Sequence, residues 1–294
     1  MKTLTVALPG REYNIQIGRG LLARAGEELR AVLPGASRLF VVTDSHVAPL
    51  YLERVRASLE EAGFRVTAHT VPAGESSKCA ARLAELWEAM MDAGLTRTDA
   101  VAALGGGVVG DLAGFAAATI LRGVDFVQIP TTLLAQVDSS VGGKVAVDLE
   151  HGKNLAGAFW QPRLVLMDPA VLDTLPLPVF MEGMAEVVKY GCIRDAAFFD
   201  FLAARPSRAE LMAEMERAGH GGADAPQLRP HAGPRLRAGG ALHRVEPRRG
   251  GGRRHVRRRP AGCTPGGDPG GAAGAPGGGA LRPGAAHRHP LHGG

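Results

Sequence analysis

Along the first two thirds of the chain, apolar positions switch repeatedly between two spacings. One is the alternation or unbroken apolar run of a strand, the other the 3.6-residue recurrence of a helix. Leu4–Leu8 and Tyr13–Ile17 read as strands. Leu21–Val32 reads as a helix ending at Pro34-Gly35, Arg38–Thr43 as a buried strand, and Val47–Ala62 as a helix stopped by Gly63. Phe64–Val71 is a strand, and Cys79–Ala93 a helix with Gly94 beyond it. Ala100–Leu104 and Asp125–Ile129 are further strands, separated by a helical run over Leu112–Leu121. This order predicts an α/β, Rossmann-like domain whose parallel sheet is covered on both faces. Ligands of such sheets sit beyond the carboxyl ends of the strands. Asp44, Glu75, Gly105–Asp111 and Pro130–Thr132 all fall there.

After Pro162 the pattern changes. Leu164–Met167 predicts a last strand, and Val171–Leu175, Val179–Tyr190 and Ala196–Ala204 predict helices that open an all-helical second domain. The expected division is an α/β domain over 1–168, opening helices over 169–217, and a Gly/Pro/Arg-rich tail over 218–294. From Ala218 the sequence contains no Phe, Tyr, Trp, Ile, Lys or Met. Such a segment buries too little apolar surface to offset its chain entropy, so disorder is expected.

Charge follows the same boundary. From Ala218 onward there are 13 Arg and only Asp224, Glu246 and Asp268 as acids, so the tail is +10 and residues 1–217 are −5 within a total of +5. The basic pI therefore belongs to the tail, and nucleic-acid binding is not inferred from it. Three cysteines, Cys79, Cys192 and Cys263, form no C-x-x-C pair, which fits a reducing compartment. No signal peptide and no membrane-spanning run is recognised, so a cytoplasmic location is expected.

The chemistry is concentrated in one span. Gly105-Gly106-Gly107-Val108-Val109-Gly110-Asp111 lies between a strand and a helix. That is the context in which backbone N–H groups and a helix N-terminus receive a phosphate. Thr131-Thr132 and Val137-Asp138-Ser139-Ser140-Val141-Gly142-Gly143-Lys144 follow, adding hydroxyls and charges of both signs. Each residue has a plainer alternative. Asp44 is equally placed to cap a helix. Glu75 and Lys78, three apart, make a capping pair, Thr131 and Thr132 an N-cap pair, and Glu186 and Lys189 a helical salt bridge.

These segments resemble the 3-dehydroquinate synthase family of sugar-phosphate cyclases. So do Pro72-Ala73-Gly74-Glu75-Ser76-Ser77-Lys78, Leu121-Arg122-Gly123, His151-Gly152-Lys153-Asn154-Leu155-Ala156-Gly157 and Phe159-Trp160-Gln161-Pro162. Glu182-Gly183-Met184-Ala185-Glu186-Val187-Val188-Lys189-Tyr190-Gly191 completes the set. The resemblance runs from about Leu4 to about Leu202 and ends near residue 218. It implies an NAD-dependent, metal-dependent lyase that converts 3-deoxy-arabino-heptulosonate 7-phosphate to 3-dehydroquinate and phosphate. It gives the nucleotide to Asp44, Ala73, Gly74, Glu75, Ser76, Ser77 and Lys78, to Gly106, Gly107, Val108, Val109, Gly110 and Asp111, and to Thr131 and Thr132. Asp138, Ser139, Lys144, Lys153, Val171, Leu172, Asp173 and Thr174 belong to the same set. Around the substrate it puts Arg122, Asp138, Lys144, Lys153, Asn154 and Lys189, cations suited to a phosphorylated sugar acid. Glu186 becomes one ligand of Zn2+ or Co2+, with two histidines to complete the protein set. A homodimer is also implied.

Those histidines are not supplied as written; nothing suggests that His231 or His243 substitutes. Shifting the reading by one base lets Gln227–Pro234 encode Asn-Phe-Gly-His-Thr-Leu-Gly-His. The same shift lets Glu246–His255 encode Asn-His-Gly-Glu-Ala-Val-Ala-Ala-Gly-Met. Both resemble the family's histidine motifs, in order, so a frameshift near residues 207–226 is expected ahead of an evolved basic tail. Three rival readings stand beside the synthase: another sugar-phosphate cyclase, an iron-type alcohol or glycerol dehydrogenase, and an inactive NAD-binding fragment with a basic tail. The dehydrogenases carry Thr-Gly-Ser-Glu after the paired threonines, where this chain has Leu133-Leu134-Ala135-Gln136-Val137-Asp138.

Overall fold

The computed structural model describes residues 1–205 and 207–211; the tail from 218, with His231 and His243, lies outside the described residues. Nine strands and six α-helices follow in chain order among those described. They are β1 (Lys2–Val6), β2 (Tyr13–Ile17), α1 (Ala25–Val32), β3 (Arg38–Asp44), α2 (Glu53–Glu61), β4 (Arg65–Val71), α3 (Ala80–Asp92) and β5 (Ala100–Gly105). Then come α4 (Gly107–Thr119), β6 (Asp125–Pro130), β7 (Lys144–Leu149), β8 (Gly152–Phe159), β9 (Leu164–Met167), α5 (Leu177–Arg194) and α6 (Ala196–Ala203).

Seven strands form one sheet in the order β1-β2-β9-β6-β5-β3-β4. Only the β1–β2 pair is antiparallel. Side chains alternate across this sheet and fill two apolar layers. Leu39, Val41, Ala102, Leu104, Val127, Ile129 and Leu166 meet Leu29, Leu59, Phe180, Val187, Phe198 and Leu202 of α1, α2, α5 and α6. On the other face Phe40, Val42, Val101, Ala103 and Phe126 meet Leu83, Leu86 and Met90 of α3, Leu112 and Ala116 of α4, and Val145 and Val147 of β7. The expected parallel sheet with two covered faces is present.

Three local expectations are corrected. The helix after β5 begins at Gly107 instead of Leu112, so the glycine segment is mostly its first turn. Buried neighbours seat it there: a Cβ on Gly110 lies 2.9 Å from Gln128 Oε1, and one on Gly114 lies 2.4 Å from Val145 Cγ1. Tight packing thus overrides the helix cost of glycine. Val171–Leu175 is a 3-10 turn over Pro169–Thr174, started by the Asp168 carboxylate accepting the Ala170 N–H, and is no α-helix. The first strand sits two residues earlier than its apolar pattern implied, paired Lys2 to Ile17 through Val6 to Tyr13. Sequence reading also passed over the β7–β8 hairpin.

Two buried carboxylates tie loops to this frame. Asp99 accepts the backbone N–H groups of Ser37, Arg38 and Thr96 and both neighbouring hydroxyls. Asp168 accepts the N–H groups of Gly20, Leu22 and Ala170.

Candidate functional site

Strands β6, β5, β3 and β4 are neighbours, so the loops at their carboxyl ends stand side by side. The chain runs outward from β3 to β4, then returns past β3 to β5. The β3–β5 boundary is therefore the point where the sheet order reverses, the place such folds hold ligands. Asp44 ends one of these strands and Gly105 the other.

At this boundary α4 starts without a side-chain cap. Its first N–H groups and the positive end of its dipole face the loops, an arrangement suited to an anion. The glycines there have a second physical reason. None of Gly105, Gly106 and Gly107 has a positive φ. A Cβ would meet the Val109 side chain at 2.6 Å from Gly105, Thr132 Cγ2 at 3.0 Å from Gly106, and Ser139 Oγ at 3.1 Å from Gly107. They let the segment after β6 close against the start of α4. Thr132 Oγ1 accepts the Ala135 N–H at 3.2 Å, the plain capping role. Thr131 is buried, and its hydroxyl has no hydrogen-bond partner among the described residues. Asp44 closes the turn after β3, accepting the N–H groups of His46 and Val47 at 2.8 and 3.0 Å.

The loop after β4 is built around one buried cation. Lys78 is 5% exposed, and its Nζ lies 3.1 Å from Asp111 Oδ2, 3.6 Å from Glu75 Oε1 and 3.7 Å from Asp148 Oδ1. It also donates to Asn154 Oδ1 at 2.7 Å. Burial lowers the lysine's pKa, but these carboxylates outweigh it and hold the ammonium above its usual range. Asp111 moves upward, because its own burial and the nearby Glu75 and Asp148 outweigh Lys78. Lys153 reaches the same loop through Glu75, 3.0 Å away. Ser77 is turned inward, its hydroxyl donating to the Pro72 carbonyl at 2.6 Å. Ala73 is fixed by its N–H to Ser45 Oγ at 3.0 Å, while Gly74 has φ 112° with open space around it.

Lys144 opens β7 as an exposed cation. The turn before it is held from three sides, a feature the sequence reading missed. Tyr13 Oη accepts the Gly142 N–H at 3.3 Å, Gln161 Nε2 donates to the Gly142 carbonyl at 3.1 Å, and Trp160 N–H donates to the Gly143 carbonyl at 2.7 Å. Arg122 is exposed and left-handed, with φ 67°, beside a Gly123 whose missing Cβ admits Trp160 at 2.5 Å. Val171 and Leu172 are core residues, Asp173 pairs with Arg19 at 2.6 Å, and Thr174 donates to the Val171 carbonyl at 3.1 Å.

A second cluster lies on α5. Glu186 and Lys189 form an ion pair, the plain alternative that their spacing allowed. This pairing raises Lys189 above its ordinary value. Tyr190 is raised by burial and by the nearby Asp138 and Glu186 carboxylates, which places Asp138 beside this cluster. Among the described residues no group of three or more His, Cys, Asp or Glu is arranged to hold a metal ion. Glu186 therefore stands as one donor without a set, and its charge is taken up by Lys189.

Residues 68–182 match the family model for the 3-dehydroquinate synthase N-terminal part. This segment belongs to the 3-dehydroquinate synthase family. A 3-dehydroquinate synthase of Clostridium beijerinckii is 49% identical over 220 residues, covering 75% of this chain and 63% of the relative. That of Rhodospirillum rubrum is 57% identical over 199 residues, covering 68% of this chain and 51% of the relative. The chain thus spans roughly half to five-eighths of the length of these curated relatives. A 2-epi-5-epi-valiolone synthase from Streptomyces hygroscopicus, solved with NAD+ and Zn2+, superposes with TM-score 0.61 at 29% identity over 75% of this chain and 61% of its own. A 2-deoxy-scyllo-inosose synthase solved with carbaglucose-6-phosphate, NAD+ and Co2+ gives TM-score 0.59 at 29% identity, covering 64% and 51%. An iron-containing alcohol dehydrogenase, 15% identical with TM-score 0.53 over 61% of this chain and 52% of its own, shares the fold.

Proposed function

We propose that this gene specifies a 3-dehydroquinate synthase, and that the chain as written carries its NAD-binding half and one metal donor. The observation that carries the reading is the start of α4. It is uncapped, sits where the sheet order reverses, and is flanked by the Thr131 hydroxyl, buried without a partner among the described residues. A dinucleotide pyrophosphate suits that arrangement. The loop over 72–78 takes the adenosine side and Asp44 the ribose.

NAD would supply a reversible hydride acceptor beside the substrate ring. The protein's own part is binding and orientation. Exposed Lys144 and Arg122 offer cations to the phosphate and carboxylate of 3-deoxy-arabino-heptulosonate 7-phosphate. Asn154 is held at the substrate hairpin by Lys78, and Lys153 by Glu75. Fixing these side chains before substrate arrives lowers the entropy of ordering them later. The described residues do not form a zinc site, since they offer it one carboxylate already paired with lysine. The division at 168 between nucleotide and helical domains, a cytoplasmic location and a homodimer remain part of the same proposal. Among the described residues no helix is long and apolar enough to cross a membrane.

Calorimetric titration of the full 294-residue chain with NAD tests the reading. Saturable binding is expected, weakened at least tenfold by Gly106→Val, whose side chain meets Thr132. A folded chain with no NAD affinity sinks it. Mixed with substrate, NAD and zinc, the chain is expected to release little phosphate and no NADH; steady NADH production would favour the dehydrogenase reading. Resequencing the codons for Ser207 to Val256 tests the frameshift. A one-base correction that restores both histidine motifs is the expected result.

A further inference from the structure

We propose that Asp148 is a positioning residue that sets the tip of the β7–β8 hairpin against the loop over 72–78. The proposal rests on the reading of that loop as a nucleotide site. Asp148 sits where the pairing of β7 with β8 slips, between Val147 and Leu149. Its backbone faces the loop instead of β8: its N–H donates to the Lys78 carbonyl at 2.8 Å, and it bridges to Cys79 in parallel. Its side chain points back into the hairpin. Oδ1 accepts the Asn154 N–H at 2.8 Å and lies 3.7 Å from Lys78 Nζ.

Asn154 is the one residue of the hairpin, glycines apart, with a left-handed backbone, φ 58°. L-residues other than glycine reach that region at a cost, and Asn is the type that local hydrogen bonds hold there. Both of its ends are fixed here, the N–H by Asp148 and the side-chain oxygen by Lys78 at 2.7 Å. Lys78 in turn reaches Asp111 in the first turns of α4. One aspartate therefore joins the loop, the hairpin tip with Lys153 and Asn154, and through Lys78 the start of α4. What Asp148 supplies to Asn154 is an acceptor oxygen; its charge serves the longer contact to Lys78. The amide of asparagine keeps that acceptor, whereas alanine removes it.

The test compares D148N and D148A in the full chain by hydrogen exchange over residues 150–157 and by NAD titration. D148A is expected to speed exchange at the tip and to weaken NAD about tenfold, the effect of one lost hydrogen bond. D148N is expected to stay within about twofold of the parent in both. Unchanged tip exchange in D148A overturns the proposal. So does a D148N that behaves as D148A, because charge would then be what matters. Should D148A fail to fold, parent-like exchange and affinity in D148N support the proposal, and loss of both in folded D148N overturns it. A parent chain that does not bind NAD, yet shows the expected exchange pattern across the variants, ends the nucleotide reading and leaves the positioning role standing.

Discussion

The central sheet and the α5–α6 segment are made from similar proportions of apolar residues but are finished to different degrees. In the sheet, Phe40, Val41, Leu104, Phe126 and Leu164 are at most 1% exposed. On α5, Phe180 and Val187 face the sheet and Gly183 packs on Leu133 and Leu134, while Leu177 and Met181 are 56% and 55% exposed, and Ile193 is 66% exposed. Scattered exposed apolar residues are ordinary. Here Leu177, Met181, Ala185 and Cys192 recur at helical spacing on one side of α5, and all are exposed. The sheet needs nothing further to bury its faces, whereas α5 has one face seated and one without a partner among the described residues. The loops proposed for the nucleotide sit on the finished region, and Glu186, the proposed metal donor, on the other.

The widest separation between the two regions should come from truncating one large side chain in each. Phe126→Ala is expected to cost about 3–5 kcal/mol of unfolding free energy, and Met181→Ala no more than about 0.5 kcal/mol. Urea unfolding followed by circular dichroism reads both. A large loss at Met181 would break the contrast. Next in size is the polar anchoring of the sheet. Burial raises Asp99, but the donors from Thr96, Arg38 and Ser37 outweigh it, and the net result is a carboxyl below its ordinary value. A lowered acid stabilises above its unfolded pKa of about 3.9 and loses that contribution as pH falls through the folded value. Asp99→Asn should therefore lower the urea midpoint at pH 7, by about 2 kcal/mol in free energy, and flatten its fall below about pH 4. An unchanged acid limb would assign it to other carboxylates. Smaller and more discriminating is a pair of glycines. A Cβ at Gly114 meets Val145 Cγ1 at 2.4 Å, and one at Gly183 meets the Leu134 backbone nitrogen at 2.6 Å. Alanine at each should cost about 1–3 kcal/mol. If Gly183→Ala is neutral, the seated side of α5 is looser than the sheet; if it matches Gly114→Ala, only the outer side differs.

Legibility in the sequence followed the same physics. β3, β5 and β6 are apolar runs with few competing interpretations, and they were placed to within a residue or two. The start of α4 was misplaced because glycine argues against helix locally, and only Gln128, Thr132 and Ser139, distant in sequence, show why it is tolerated. The β7–β8 hairpin was missed because its residues were read for their charges instead of their alternation. Of the candidate residues, Lys78 lies at the centre of an ion network with Asp111 and Asp148, which its spacing in the sequence did not show. Spacing along one helix can suggest Glu75 with Lys78 or Glu186 with Lys189. It carries no information about a carboxylate that arrives from a hairpin 70 residues later.

The sheet order has a consequence for how the chain is made. β2, finished within the first 17 residues, takes its parallel partner from β9 at residues 164–167, and the Asp168 carboxylate fastens Gly20 and Leu22 to the same place. On a ribosome the opening hairpin is thus exposed, with one strand edge unsatisfied, while some 150 residues are added behind it. Parallel pairing across such a span is slow and prone to wrong partners. Nascent chains arrested before residue 164 would present that edge, and those arrested well after it would have closed it.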